Sequence, residues 1–175
     1  GYDLDKLSGG ITVRRAAPGE TLETLDGKVR DLHVEDLLIT DASGPIGLAG
    51  VMGGASTEMS ETTRNVLVEA ATFDPVTIAR SARRHKLPSE ASRRFERGVD
   101  PNVASVAAER VVELLEKLAG GTRAVEGGLA RVESAHQRDG ILLPDGFISA
   151  LIGVDYTDDQ ITGALEKIGA TLLDQ

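Results

Sequence analysis

The chain has no cysteine, and only 3% of its 175 residues are aromatic. The first absence excludes disulfides and thiolate metal sites. The second means that aliphatic residues and alanine must fill the core. No apolar run reaches membrane-spanning length, so a soluble, cytoplasmic chain is expected. Basic residues are outnumbered, 19 Lys and Arg against 28 Asp and Glu, for a formal net charge of -9. That balance argues against wholesale wrapping of nucleic acid. The length suits one domain with a substantial core, or one domain plus part of another.

Against this acidic total, residues 80–97 hold seven Lys or Arg and only Glu90 and Glu96, a local balance of +5. Such a cluster reads either as a solvated helix face and loop or as a patch facing phosphates. Part of it lies in "SEASRRFERGVDP", residues 89–101, where Arg93, Arg94 and Arg97 flank Phe95.

The first half of the chain reads as strands and turns. "ITVRR" has strand character, and in "LETLDGKVRDL" two alternating runs flank Asp26-Gly27, a strong hairpin signal. "LLITD", residues 37–41, ends at the turn residues Ala42-Ser43-Gly44-Pro45. In "IGLAGVMGG" glycines at 47, 50, 53 and 54 interrupt a strand-like run, which weakens it unless another backbone or a ligand approaches closely. "NVLVEAATF" reads as a further strand with Glu69 in its apolar middle.

Helix signals follow. Asp74-Pro75 predicts a cap and first helical position for a helix over residues 75–86, with Val76, Ile78 and Ala79 among its apolar positions and Pro88 as its stop. Asp100-Pro101 repeats the signal ahead of an apolar stripe from Val103 to Leu118, and Gly120-Gly121 end it. "VESAHQRDG" reads as a linker. Beyond it Thr157 and Gln160 form a capping box, with Gly169 as the C-cap. This last segment stops too soon to close its own core and is expected to be the start of a second module. The fold class expected is α+β: a strand-rich core with glycine-lined loops, packed by the two main helices.

His33, His85 and His136 are far apart and lack paired carboxylate spacing, so each reads as a surface or loop histidine and no metal site is expected. No nucleophile-elbow pattern is present. "GLAGVMGG" lacks the Gly-Lys-Ser/Thr ending of a Walker loop and is not GxGxxG. It reads either as tight strand packing with a turn or as a pocket wall. Glu69 sits among Val66, Leu67, Val68, Ala70 and Ala71. Either alternation turns it outward, or an arginine pairs with it, or it serves a site, because a buried carboxylate needs a partner.

"LDGKVRDL", "GLAGVMGG", "VLVEAATFDPVTIARSARRHKL", "SEASRRFERGVDP" and "AAERVVELL" followed by "GG" occur here in order. In that order and spacing they resemble the B3/B4 editing region of the bacterial phenylalanyl-tRNA synthetase beta subunit. The resemblance covers about residues 1–130, with 131–138 as linker, and residues 139–175 resemble the opening of the adjacent B5 module. It implies a piece of a much larger subunit.

The resemblance implies hydrolysis of tyrosine wrongly esterified to the phenylalanine tRNA. Glu69 would accept the tyrosine phenol, and Gly53 would keep the pocket open. Ser89 and Ala91 fall on the family's small pocket residues, with Ser89 in place of threonine retaining the hydroxyl and dropping a methyl. Arg83, Arg84 and Lys86 are expected to contact RNA phosphates. Arg93 and Arg94 either do the same or pair with Glu96 or Asp100, and Arg97 serves the structure. The family's pocket histidine would directly precede Gly1, so the isolated piece is expected to be poorly active, and no catalytic residue is assigned within it. The partners implied are the phenylalanine tRNA and an alpha subunit, in an alpha2beta2 heterotetramer, with no membrane. No cofactor is implied for this chain, since ATP and Mg belong to the synthetic site of the whole enzyme. The rival readings are a non-catalytic RNA- or subunit-binding scaffold of the same enzyme and, apart from the resemblance, a small-ligand binding domain. A cavity joining Gly53, Glu69 and Ala91 favours editing; a filled one favours scaffold.

Overall fold

The computed structural model describes residues 1–124 and 140–173. It divides into two units, Gly1–Ala130 and Arg131–Gln175. The linker expected at 131–138 and His136 lie outside the described residues.

The first unit is α+β, as the sequence predicts. Its main sheet is antiparallel, built from β2 (Thr12–Arg15), β5 (Leu37–Asp41), β6 (Gly44–Leu48) and β7 (Met52–Gly53) in that order. Two smaller pairs flank it: β1 (Tyr2–Asp3) with β8 (Val66–Leu67), and β3 (Thr21–Glu23) with β4 (Val29–Asp31). The Asp26-Gly27 hairpin forms, with Gly27 at φ 73 donating its amide to the Thr24 carbonyl at 2.8 Å. Gly44 and Pro45 belong to β6 rather than to the turn, and the ladder shifts register between Ile39 and Thr40 to admit them. Pro45 lacks an N–H, which a register irregularity tolerates.

The glycine-rich run is a strand, a tight turn at Gly50 (φ 65) and a returning strand, with Gly47 opposite Gly53. Gly54 shows why a side chain is excluded there. A Cβ at that position would lie 2.6 Å from the Ile46 carbonyl oxygen and 2.9 Å from Leu22 Cδ1. Gly54→Ala is therefore expected to cost about 1–3 kcal/mol through overpacking. Thermal melting of the chain checks this, and an unchanged Tm would show that the strand yields freely.

α1 (Pro75–Arg84) starts where expected, the Asp74 carboxylate accepting from the Thr77 amide at 2.7 Å. It ends two residues short of Lys86, which adopts φ 50. Its inner face buries Ile78 and Ala82 against Leu38, Leu48, Val51 and Leu87, while Val76 is exposed. Next comes α2 (Glu90–Phe95), a short helix capped by Ser89 and Ser92. α3 (Val103–Ala119) begins at Asn102 rather than Asp100-Pro101 and closes on Gly120 in the left-handed conformation, φ 65.

In the second unit α4 (Phe147–Ile152) and α5 (Asp158–Lys167) are described. The predicted Thr157 and Gln160 capping box is present. Among its described residues none is buried.

Candidate functional site

The site is built where two strand ends meet. β1 pairs antiparallel with β8, setting Tyr2 opposite Leu67. The strand stops at Leu67, so Glu69 lies beyond it on an irregular segment and is exposed, not in the middle of a buried strand. The partner of Glu69 is a neutral phenol, not an arginine. The Tyr2 hydroxyl donates to Glu69 Oε2. Tyr2 itself is buried, at 7% exposure. Burial pushes its phenol pKa up, and the hydrogen bond to Glu69 and that carboxylate's charge push it further.

Beside this pair is a cavity of about 480 Å³. Its walls come from the glycine-rich turn, the segment carrying Glu69, α2 and one face of α3. Gly53, Glu69 and Ala91 all line it, although they are distant in sequence. So do Phe73 and Phe95, whose ring centroids are 5.1 Å apart at 54°. Apolar walls with a few placed polar groups are the usual make-up of a small-molecule pocket.

One of the expected site residues takes another position, and a second has a further contact. Ser89 is not on the cavity wall. Its hydroxyl donates to the Val51 carbonyl at 2.6 Å and accepts from the Ser92 amide at 3.0 Å, so it caps α2 and ties that helix to the glycine-rich turn. Through that tie it sets the placement of Ala91. Gly53 lines the cavity, yet a Cβ there would first meet Leu25, 3.3 Å from its Cδ1. The absent side chain thus also admits the hairpin, whose Leu25 amide donates to the Gly53 carbonyl at 3.1 Å.

The arginines separate by partner. Arg84 is engaged in ion pairs with Asp36 and, at 2.7 Å, with Glu35, which leaves it serving the fold. Arg93 pairs with Glu90 at 3.2 Å, one helical turn back, instead of with Glu96 or Asp100. Arg83, Lys86 and Arg93 border a separate pocket of about 510 Å³ with Ser92 and Glu96. Arg94 and Arg97 are exposed.

Asp36 is the centre of a network that sequence reading missed. Fully buried, it accepts from the His33 amide at 2.9 Å, the Ser81 hydroxyl at 2.7 Å and Arg84, and bonds His85 Nε2 at 2.6 Å. His85 is therefore no surface histidine; only 6% of its side chain is exposed. Burial pushes the Asp36 carboxyl pKa up, but the His33 amide, the His85 ring and the Ser81 hydroxyl together hold it below the usual range. Among the described residues no three His, Asp or Glu side chains converge as metal ligands would. No described helix is long and apolar enough to cross a membrane.

The B3/4 domain family model matches residues 1–120. Over 174 residues the chain is 67% identical to the phenylalanine-tRNA ligase beta subunit of Leifsonia xyli, covering 99% of this chain and 20% of that relative. It is 50% identical to the beta subunit from Streptomyces avermitilis over 177 residues, covering 99% of this chain and 21% of that relative. The chain spans about one fifth of the length of these relatives. With most of its described first unit inside the matched span, the chain belongs to the B3/4 domain family.

Proposed function

We propose that this chain is the editing region of a phenylalanine-tRNA ligase beta subunit and that it hydrolyses tyrosyl esters of the phenylalanine tRNA. The observation that carries the reading is a single cavity with aromatic and alanine walls and one carboxylate, Glu69. Apolar walls suit an aromatic side chain of either amino acid. Only tyrosine brings a hydroxyl, and Glu69 is the acceptor for it. A site that bonds a hydroxyl discriminates strongly against the analogue lacking it, because its polar group is then left unpaired.

In the reaction water adds to the tyrosyl carbonyl carbon and the ester C–O bond to the ribose breaks. Free tyrosine leaves and the ribose hydroxyl is restored. The terminal ribose assists the water in this scheme, and no cofactor is proposed for the step. ATP and Mg serve the synthetic site of the whole enzyme. The alpha subunit and the tRNA are the partners, in an alpha2beta2 assembly in the cytoplasm. Arg83, Lys86, Arg93 and Arg94, all exposed, are the cations proposed to face RNA phosphates.

Ala91→Trp tests the pocket. In the intact enzyme it is expected to lower hydrolysis of tyrosyl-tRNA and phenylalanyl-tRNA together, each by about tenfold in kcat/KM, since added bulk excludes either ring. Single-turnover deacylation of both esters measures it. Unchanged rates would remove this cavity from the reaction and favour a scaffold that binds RNA or a subunit without catalysis.

A further inference from the structure

Resting on the editing reading, we propose that Tyr2 is a positioning residue: its hydroxyl holds Glu69 Oε2 so that the other carboxylate oxygen, Oε1, is presented to the phenol of a tyrosyl ester. Glu69 needs such a hold. It lies two residues past the end of β8, on irregular backbone, and is exposed. A glutamate there has several rotamers open to it, and fixing one costs conformational entropy that a ligand would otherwise have to overcome at binding.

Tyr2 is placed to supply the hold. It is fixed in register opposite Leu67, two residues from Glu69, and its ring is buried in a cluster with Ile39, Ile46 and Ala49. The anchored hydroxyl reaches Glu69 Oε2 across 67 residues of sequence. Both residues line the cavity. A carboxylate has two oxygens and about four lone-pair sites, so one phenol donor leaves room for a second. The raised phenol pKa keeps Tyr2 protonated, and so a donor, across the working pH range. The pair thus contains, inside the protein, the same phenol-to-carboxylate bond that the ligand is proposed to make.

The test uses the intact two-subunit enzyme with Tyr2→Phe, Glu69→Ala and the double variant. Tyr2→Phe keeps the buried ring and deletes only the hydroxyl, so the fold is retained, and melting of the holoenzyme checks that. The expected result is a rise of about three- to tenfold in KM for tyrosyl-tRNA hydrolysis, the size of one net hydrogen bond, with kcat within about twofold. Phenylalanyl-tRNA hydrolysis stays unchanged. In the Glu69→Ala background Tyr2→Phe adds nothing, because there is no carboxylate left to position.

Three results would overturn the role of Tyr2 alone: an unchanged tyrosyl KM in Tyr2→Phe while Glu69→Ala raises it, effects that multiply in the double variant, or a lowered KM, which would make the internal phenol a competitor. A Glu69→Ala enzyme indistinguishable from wild type has a different signature. It removes the editing reading of this pocket, and the positioning role with it.

Discussion

Glu69→Ala in the intact enzyme is expected to lower kcat/KM for tyrosyl-tRNA hydrolysis by about one to two decades, while phenylalanyl-tRNA hydrolysis stays the same or rises. The size follows from losing a hydrogen bond to a charged acceptor, about 1.5–3 kcal/mol. The asymmetry follows from the ligands. Phenylalanine offers the carboxylate no donor, so removing the carboxylate relieves an unpaired group rather than breaking a bond. Glu69 is exposed in the free protein, with Oε2 held by Tyr2, so its removal leaves no buried charge, and the stability change is expected to stay within about 1–3 kcal/mol, the cost of leaving the Tyr2 hydroxyl without its acceptor. Deacylation of both esters, measured beside a melting curve, distinguishes the outcomes. Equal slowing of both esters with a lower Tm would make Glu69 a structural residue and would sink the recognition role.

The second large effect is on stability. Asp36→Ala is expected to destabilise the first unit by about 3–5 kcal/mol, the range for removing one partner of a buried ion pair. Asp36 is fully buried, and its loss leaves Arg84, Ser81 and the His85 ring without their shared acceptor. These three groups lie on α1 or at its C-terminal end, whereas Asp36 immediately precedes β5. The network therefore ties the helix that buries Ile78 to the main sheet.

The same carboxylate gives the stability a pH dependence. Its folded pKa lies below the usual carboxylate range, so its contribution is fully present above the unfolded value of about 3.9 and is lost as pH falls through the lower folded value. Urea unfolding of wild type should weaken progressively below about pH 4. Asp36→Asn should start less stable at neutral pH and show a shallower acid slope. Equal slopes for the two proteins would place the acid-labile group elsewhere.

Part of the site was legible in the sequence and part was not. Gly53, Glu69 and Ala91 were named through the resemblance, and they line one cavity. Ser89 was named with them, but its hydroxyl caps a six-residue helix that no periodicity announced. Six residues are too few to show a 3.6-residue pattern, and serine serves turns as well as caps. Tyr2, Phe73 and Phe95 were not singled out as pocket residues, because a lone aromatic in an aliphatic chain reads as core.

What the sequence determined by itself lies within a few residues along the chain. Asp26-Gly27 requires a hairpin, Asp74-Pro75 starts a helix, Gly120 ends one, and Thr157 with Gln160 opens another. In each case the donor, the acceptor or the special φ belongs to neighbours, so local chemistry is sufficient. Only the tertiary structure decided that Glu69 meets Tyr2, 67 residues away, and that Asp36 meets His85, 49 residues away. A carboxylate carries no mark of which distant donor will reach it. That choice depends on how β1 pairs with β8 and how α1 packs on the sheet, and burial of apolar surface drives that packing without direction, leaving polar partners to be set by the resulting geometry.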